Sequence, residues 1–375
     1  IAIPDRIRLR GTAGANKGAF SAASTLSADG GEIALQGRLD TRSEAYGIEL
    51  RCDSFPLNSF LPADSLGLLD LALQAGGSGF DPFRAQTRGN IRLQVDRAEF
   101  RGRDFGGVEL NANLAGGQLS GRLSDRDEAL RLLLLVSGTL TERKQEVRLT
   151  GNVFDFDLAE LGISPQKIGG SFALEAGASA SDAGSYTARI ALDSIEVRTR
   201  HRTDRIRPTS LSLSSDTTAT RAKLASGDLS LAFVSPGPVD SLVPALTRSA
   251  DILARQIRAQ SVDMETLKPA LPDFSLSVTA GRENILNNFL KTKKMSFGAL
   301  DIEGVNCDSL PVSLRIKAER LTWGGVVLDT LTAGIAQDGR RLDYFLRTAN
   351  VPGNLDNVAL AGLYGHVLSL IHISE

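Results

Sequence analysis

The residue types that perform chemistry are few and widely spaced. Three histidines and two cysteines, Cys52 and Cys307, are spread over 375 residues, too scattered for a zinc site or a disulfide framework. The default for two such distant cysteines is a partly buried free thiol at each position. His201 stands between Arg200 and Arg202 with no nucleophile motif beside it, which reads as a surface residue and not a catalytic base. Asp155 and Asp157 are the nearest approach to an acid/base couple. Two carboxylates one residue apart on a strand share its wet face, so a solvated pair is expected. The run Asp125-Arg126-Asp127-Glu128 reads as a charged turn, because a metal would need a fixed cage of oxygens. Gly76-Gly77-Ser78-Gly79 lacks the Lys-Ser/Thr and following helix of a phosphate loop and is expected to bend or bulge a strand. Arg198, Arg200, Arg202, Arg205 and Arg207 offer contacts to anionic lipid headgroups, although a solvated strand face is the commoner use of such a run. With one Trp and four Tyr, the aromatic-lined cleft of a carbohydrate-active enzyme has little to build on. No catalytic residue, cofactor or metal is expected, and the chain reads as a non-enzyme.

Composition narrows the classes further. Lys and Arg number 42 against 44 Asp and Glu, a balance that argues against nucleic-acid binding through phosphate charge. Hydrophobic residues make up 42%, enough for a folded chain. Five Tyr and Trp residues in all are too few for the aromatic girdles of an outer-membrane barrel. The longest pure apolar run, Leu132 to Val136, is five residues, far short of the ~18 a membrane helix needs. The chain opens on Ile1 just ahead of an apparent strand (7–11), which reads as an interior piece of a longer protein. Its last residues, LSLIHISE, resemble a translated sequencing adaptor, so 367–375 are expected to be a non-native tail and His366 and His372 are set aside.

The elements are legible in the period. Apolar and polar residues alternate strictly in Ile91 to Asp96, Val108 to Leu114, Leu211 to Leu213, Leu229 to Leu231, Phe274 to Val278, Leu300 to Glu303 and Val312 to Ile316. Successive strand side chains point to opposite faces, so this is a sheet with one apolar and one wet face. Buried parallel sheets read instead as continuous apolar runs. Asp29-Gly30-Gly31, Gly106-Gly107, Gly116-Gly117, Gly169-Gly170, Gly324-Gly325 and Asp338-Gly339 are turn signals. Their spacing describes an antiparallel meander of roughly twenty to twenty-five strands. A helical period appears over Val239 to Gln260, with Leu242, Leu246, Ala250, Leu253 and Ile257 as its stripe. Asp240 or Ser241 is the expected N-cap and Pro244 falls in the expected first turn. That helix is expected to plug a sheet end in preference to lying on a membrane. A second helix is expected over Glu283 to Lys293, and a turn or two over Leu66 to Gln74. Two segments are expected, 1–165 and 166–366.

The apolar face must be covered. It can close on a second sheet, coil into a solenoid, or stay open as a trough for an apolar guest. The expected fold is mainly β, a long antiparallel twisted sheet curled into an open, β-taco-like groove with two or three inserted helices. Strands of six to eight residues would span about 20–26 Å and twenty-five of them about 120 Å. A lipid tail lying there would gain about 0.8 kcal/mol per CH₂, roughly 10 kcal/mol in all. The residues expected to line the groove are Ile91, Leu93, Val95, Val108, Leu110, Leu114, Leu229, Leu231, Phe274, Leu276, Val278, Leu300, Ile302, Val312, Leu314 and Ile316.

A family resemblance rests on a series of segments. Tyr46 to Leu50 leads into Phe55-Pro56-Leu57 and Phe60-Leu61-Pro62, then Leu66 to Leu71 and the glycine-rich Ala75 to Pro82. Ile91 to Asp96 is followed by Glu99 to Phe105, Val108 to Leu114 and Leu119 to Asp125. A strand pair then ends at Gly151, with Phe156-Asp157-Leu158 and Leu161-Gly162-Ile163 as a link. Asn284 to Leu290 with Phe297 to Leu300 continues the style. This order resembles the repeat of the bacterial translocation and assembly module (TamB) family, within the AsmA-like superfamily. The resemblance implies an envelope protein of diderm bacteria, anchored in the inner membrane through parts absent here and crossing the periplasm. Its implied partners are phospholipid acyl chains and an outer-membrane assembly barrel protein, and its implied role is phospholipid transfer or support of outer-membrane protein assembly. On this resemblance the sequence is expected to be an interior piece, with the family's anchor and C-terminal domain carried by other parts of the parent chain. The alternative is a secreted β-solenoid adhesin or structural stalk, which the irregular strand spacing and inserted helices fit less well.

Overall fold

The structure, a computed structural model, describes residues 6–61, 66–181, 184–259, 263–307, 310–324, 326–338, 341–349 and 362–368. It is mainly β: one long open sheet of 24 strands with three helices. Contacts divide the chain into two compact units, residues 1–182 with 194–205, and residues 183–193 with 206–375.

The first unit holds β1 (Ile7–Asn16), β2 (Ala19–Ala28), β3 (Gly31–Asp40), β4 (Ala45–Pro56), β5 (Leu66–Ser78), β6 (Arg88–Phe100) and the short β7 (Arg103–Phe105). It continues with β8 (Val108–Ala115), β9 (Gln118–Arg126), β10 (Leu130–Leu140), β11 (Lys144–Asp157) and β12 (Ile168–Ser181). All its described pairings are antiparallel between chain neighbours, apart from β6, which pairs with β8 as well as β7. Two-residue turns set this meander. Asp29 and Gly30 join β2 to β3 at φ of 47° and 92°, and Gly116 and Gly117 join β8 to β9 at 59° and 71°. Paired positive φ values are what tight hairpins between twisted strands require.

Its buried core is small. Ala28, Cys52 and Phe55 are buried, with Leu26, Ile33, Leu50, Leu69 and Leu71 packed against them. Beyond Pro56 a 3-10 turn, Leu57–Ser59, folds Phe60 back so that its ring stacks on Phe55 at 5.2 Å. The Ser59 hydroxyl ties that turn to the β2–β3 hairpin by donating to Asp29 Oδ2 at 2.9 Å.

The second unit begins within β13 (Ser185–Thr199), the strand divided between the units. The short β14 (Thr203–Ile206) straddles the same boundary, and β15 (Thr209–Ser215), β16 (Ala219–Ser226) and β17 (Leu229–Pro236) follow. Next come α1 (Val239–Arg258), the single-turn α2 (Met264–Leu267), β18 (Phe274–Ala280), α3 (Ile285–Thr292) and the two-residue β19 (Met295–Ser296). The last strands are β20 (Ala299–Cys307), β21 (Leu310–Trp323), β22 (Val326–Asp338), β23 (Arg341–Ala349) and β24 (Gly362–Leu368). Helix α3 lays Ile285, Leu286 and Leu290 on a core of Leu229, Val278, Ala280 and Phe297. Helices α1 and α2 enclose a second core of Ile252, Met264, Leu267 and Val312.

Strand hydroxyls receive two of the helix N-termini. The Val239 N–H donates to Ser215 Oγ at 2.8 Å and the Ile285 N–H to Ser226 Oγ at 3.2 Å. Asn284 caps α3, its side chain accepting from the Asn287 N–H at 2.8 Å. Asn287, 1% exposed, accepts the Phe297 N–H and donates to the Phe297 carbonyl at 3.2 and 2.9 Å, as a strand partner would. Replacing it leaves two buried backbone groups unpaired, so Asn287→Ala is expected to cost about 2–4 kcal/mol in denaturant unfolding.

In the β15–β16 turn, Asp216 accepts hydrogen bonds from the Thr218 hydroxyl and the Thr218 and Ala219 N–H groups, which lower its pKa to about 2. A depressed carboxyl stabilises the fold above its unfolded pKa of 3.8 and loses that contribution as pH falls through about 2. Asp216→Asn is therefore expected to flatten the stability-versus-pH curve between these values, measured by unfolding at stepped pH.

Several expectations need correction. Leu66 to Gln74 is strand, within β5. A register shift at Leu66/Leu69 breaks its alternation, which mimics a helical spacing. Gly169 and Gly170 lie inside β12, not in a turn; a Cβ at Gly170 would stand 2.1 Å from the Glu196 carbonyl oxygen, so close backbone approach requires the glycine. Helix α1 starts at Val239, which removes Asp240 and Ser241 as caps and puts Pro244 beyond the first turn. Its inward face is also rotated from the expected stripe. Leu242, Ser249 and Ile252 are buried while Leu246 and Leu253 are each 42% exposed. Ser249 can turn inward because its hydroxyl reaches the Ala245 and Ala270 carbonyls at 2.8 and 2.6 Å. Gly325, Gly339, the side chain of Ile257 and most of 351–375 lie outside the described residues.

Candidate functional site

The site is a face of the sheet, built by register. Directly paired residues of an antiparallel ladder point to the same face. In the first unit Leu35, Leu50, Leu73, Leu93, Leu110, Leu123 and Leu134 are each the partner of the next, and the row continues through Gly151 to Leu174. Eight leucines thus line up across nine strands, a distance of about 38 Å at ~4.8 Å per strand. The neighbouring row is smaller: Gly37, Ile48, Ala75, Ile91, Ala112, Gly121, Val136, Leu149 and Ala176. On its other side stand Ile33, Cys52, Leu71, Val95 and Val108. The opposite face is wet, with Gln36, Glu49, Gln74, Arg92, Asn111 and Arg122 forming one of its rows.

This apolar face packs into a core only at its Cys52 end, where Ile33, Leu50 and Leu71 meet Phe55 and the Leu57–Phe60 turn. The 3-10 turn at Leu57–Ser59 is the only helical element among the first unit's described residues. Leu35 is 40% exposed, Ile48 44% and Ile91 43%, while the leucines from Leu50 to Leu174 are half-buried. A contiguous apolar row of this length contrasts with the singly scattered exposed apolar residues of ordinary proteins.

The second unit repeats the device and covers part of it. Ile190, Leu211, Leu224, Leu231, Val278, Ile302, Ile316, Ala333, Leu346 and Leu363 are paired in series across ten strands. Helix α3 roofs the centre, packing with Leu224, Leu231, Val278 and Ile302, whereas Ile190 and Leu211 are 44% exposed and Leu363 57%.

Of the expected lining residues, Leu93 and Leu110 fall in the leucine row, Val95 and Val108 to one side, and Ile91 to the other. Leu114, paired with Gly89, lies one row further out. In the second unit Leu231, Val278, Ile302 and Ile316 share one row and Leu276, Gly304 and Leu314 the next. Phe274 pairs with Asn306 at the strand end, and Leu300 with Ala280 and Ala318. Leu229, Val278 and Val312 are buried in packed cores that include helix residues and keep only 4%, 6% and 8% exposure. The residues not anticipated, Leu35, Leu50, Leu73, Leu123, Leu134 and Leu174, carry the same alternation; only strand register brings them into one row.

The polar candidates resolve into structural pairs. Asp155 binds Arg198, and Asp157 accepts the Ala159 and Glu160 N–H groups at 2.9 and 3.3 Å. Asp125 is buried, and that burial raises its pKa. Asp127 accepts from Gly106 and Ala129 N–H groups at 3.0 and 2.8 Å, which makes the charged turn a backbone clasp. In the basic run, Arg202 pairs with Asp204 at 2.7 Å, and Arg207 with Glu283, 3.1 Å from its Nε. His201 is exposed. Gly76 and Gly77 continue β5 and the bend comes at Gly79, φ 85°. Cys52 is a buried thiol whose pKa is raised by burial and by the charges of Asp53 and Asp70. No group of three or more metal-ligating side chains occurs among the described residues. No helix among them is long and apolar enough to cross a membrane. No family model, curated protein or solved structure matches the chain.

Proposed function

We propose that this protein is a non-enzymatic lipid-transfer scaffold whose apolar sheet face, curled into a groove, holds phospholipid acyl chains. The observation that carries the reading is the in-register leucine row of the first unit, which runs across nine strands in a unit whose described residues form no α-helix. An acyl chain laid along the row meets a leucine at every strand but β11, where Gly151 stands, and gains about 0.8 kcal/mol for each CH₂ it removes from water. The wet reverse face suits an aqueous compartment. In the setting that the sequence resemblance implies, the compartment is the periplasm of a diderm bacterium and the direction of travel lies between its membranes, with an outer-membrane assembly barrel as the implied partner. A β-solenoid stalk would stack parallel rungs, and the antiparallel ladder between chain neighbours gives that alternative less support.

Purifying the full chain and extracting it with organic solvent is expected to release phospholipid, and a photo-crosslinking residue at position 93 is expected to capture it. Lipid-free protein that forms no crosslink overturns the reading.

A further inference from the structure

Beside the apolar face of the first unit lies an open cavity of about 1090 Å³ at the ends of β7, β11 and β12, lined by charged side chains and two aromatic rings. Most of its charges are already matched. Arg103 binds Glu160, Arg198 binds Asp155, and Lys167 stands 3.9 Å from Asp157. Asp104 accepts from Arg97 Nε at 2.9 Å, and Asp127 is held by backbone N–H groups as described. Two lining side chains are left, Glu128 and Arg200, both exposed and neither in an ion pair among the described residues. The cavity therefore offers one uncommitted carboxylate and one uncommitted guanidinium. Its lining also contains two rings from the apolar face. Phe105 is in register with Ala98 and Leu69, and Phe156 meets Phe172 edge-on at 6.1 Å.

We infer that this cavity binds the head of a zwitterionic amphiphile of the phosphoethanolamine type, its phosphate on Arg200 and its ammonium on Glu128. The inference rests on the lipid-scaffold reading, which supplies the tail. A guanidinium forms bidentate, charge-assisted hydrogen bonds to phosphate oxygens. A primary ammonium donates hydrogen bonds to a carboxylate, which a quaternary ammonium lacks. An anionic glycerol head offers Glu128 only neutral hydroxyl donors, and its net negative charge is repelled by the carboxylate. The site thus discriminates by head, while the leucine row accepts any tail.

The test titrates the full chain with lysophosphatidylethanolamine, lysophosphatidylcholine and lysophosphatidylglycerol below their micellar concentrations, and with free phosphoethanolamine. The ethanolamine lysolipid is expected to bind about tenfold more tightly than the other two, the worth of one charge-assisted hydrogen bond. Glu128→Gln is expected to abolish that preference, and Arg200→Gln to weaken the ethanolamine and choline lysolipids alike. Both positions are exposed, and circular dichroism checks that the variants fold. Equal binding of all three lysolipids, unchanged by Glu128→Gln, overturns the headgroup site and leaves the scaffold reading standing. Failure of every lysolipid to bind overturns both. Free phosphoethanolamine binding as tightly as its lysolipid assigns the cavity to a soluble phosphate ester and overturns the amphiphile assignment.

Discussion

Replacing Leu93, Leu110 and Leu123 together with glutamate is expected to lower co-purified phospholipid at least about tenfold, a loss of only ~1.4 kcal/mol in affinity. The three are consecutive partners at the middle of the leucine row. An acyl chain crossing them would have to lie against three carboxylates, and each charge kept from water by a hydrocarbon guest costs several times that amount. The sheet itself should tolerate the change. These side chains are half-buried and belong to no packed core, so without lipid the carboxylates stay hydrated and each strand keeps its backbone ladder. The expected readout is a normal β-sheet circular dichroism spectrum with lipid lost from the organic extract. The same substitutions at Gln94, Asn111 and Arg122, on the reverse face, are expected to leave lipid content unchanged. Undiminished lipid in the leucine variant would show that the row is not the carrier.

How far this surface was legible depends on what alternation can carry. Period two placed Ile91 to Asp96 and Val108 to Leu114 in strands and set their apolar side, because side-chain direction along a strand is local. Which leucine faces which is not local. Bulges at Cys52/Phe55 in β4, Leu66/Leu69 in β5 and Val153/Phe156 in β11 each reset the phase. A reader counting by twos therefore loses the face at those points, and Leu66 to Gln74 then resembles a helix. The inward face of α1 was hidden for another reason. Ser249 is buried because the Ala270 carbonyl waits for its hydroxyl, a partner 21 residues on that no helical period records. The cavity at Glu128 and Arg200 is further still from legibility, since it depends on which neighbouring charges are already matched.

The second large effect separates an open face from a sealed one. Phe55 is 2% exposed, stacked on Phe60 and set beside Cys52 and Ala28 in the only described packed cluster of the first unit. Phe55→Ala removes a ring that the surrounding strands cannot collapse to replace, and is expected to cost about 3–5 kcal/mol. Leu93→Ala deletes a similar apolar side chain from the leucine row, but from a position that is only partly buried and belongs to no packed core. With less transfer energy and no enclosed cavity at stake, it is expected to cost about 1–2 kcal/mol in delipidated protein. The two variants, unfolded in denaturant with and without added phospholipid, therefore separate two kinds of apolar surface within one sheet. Lipid should stabilise the wild-type chain and Phe55→Ala equally, and Leu93→Ala less, because a ligand stabilises in proportion to its affinity for the folded state. A Leu93→Ala cost matching that of Phe55→Ala in lipid-free protein would mean that the row is closed against the protein's own side chains, with no room for a guest.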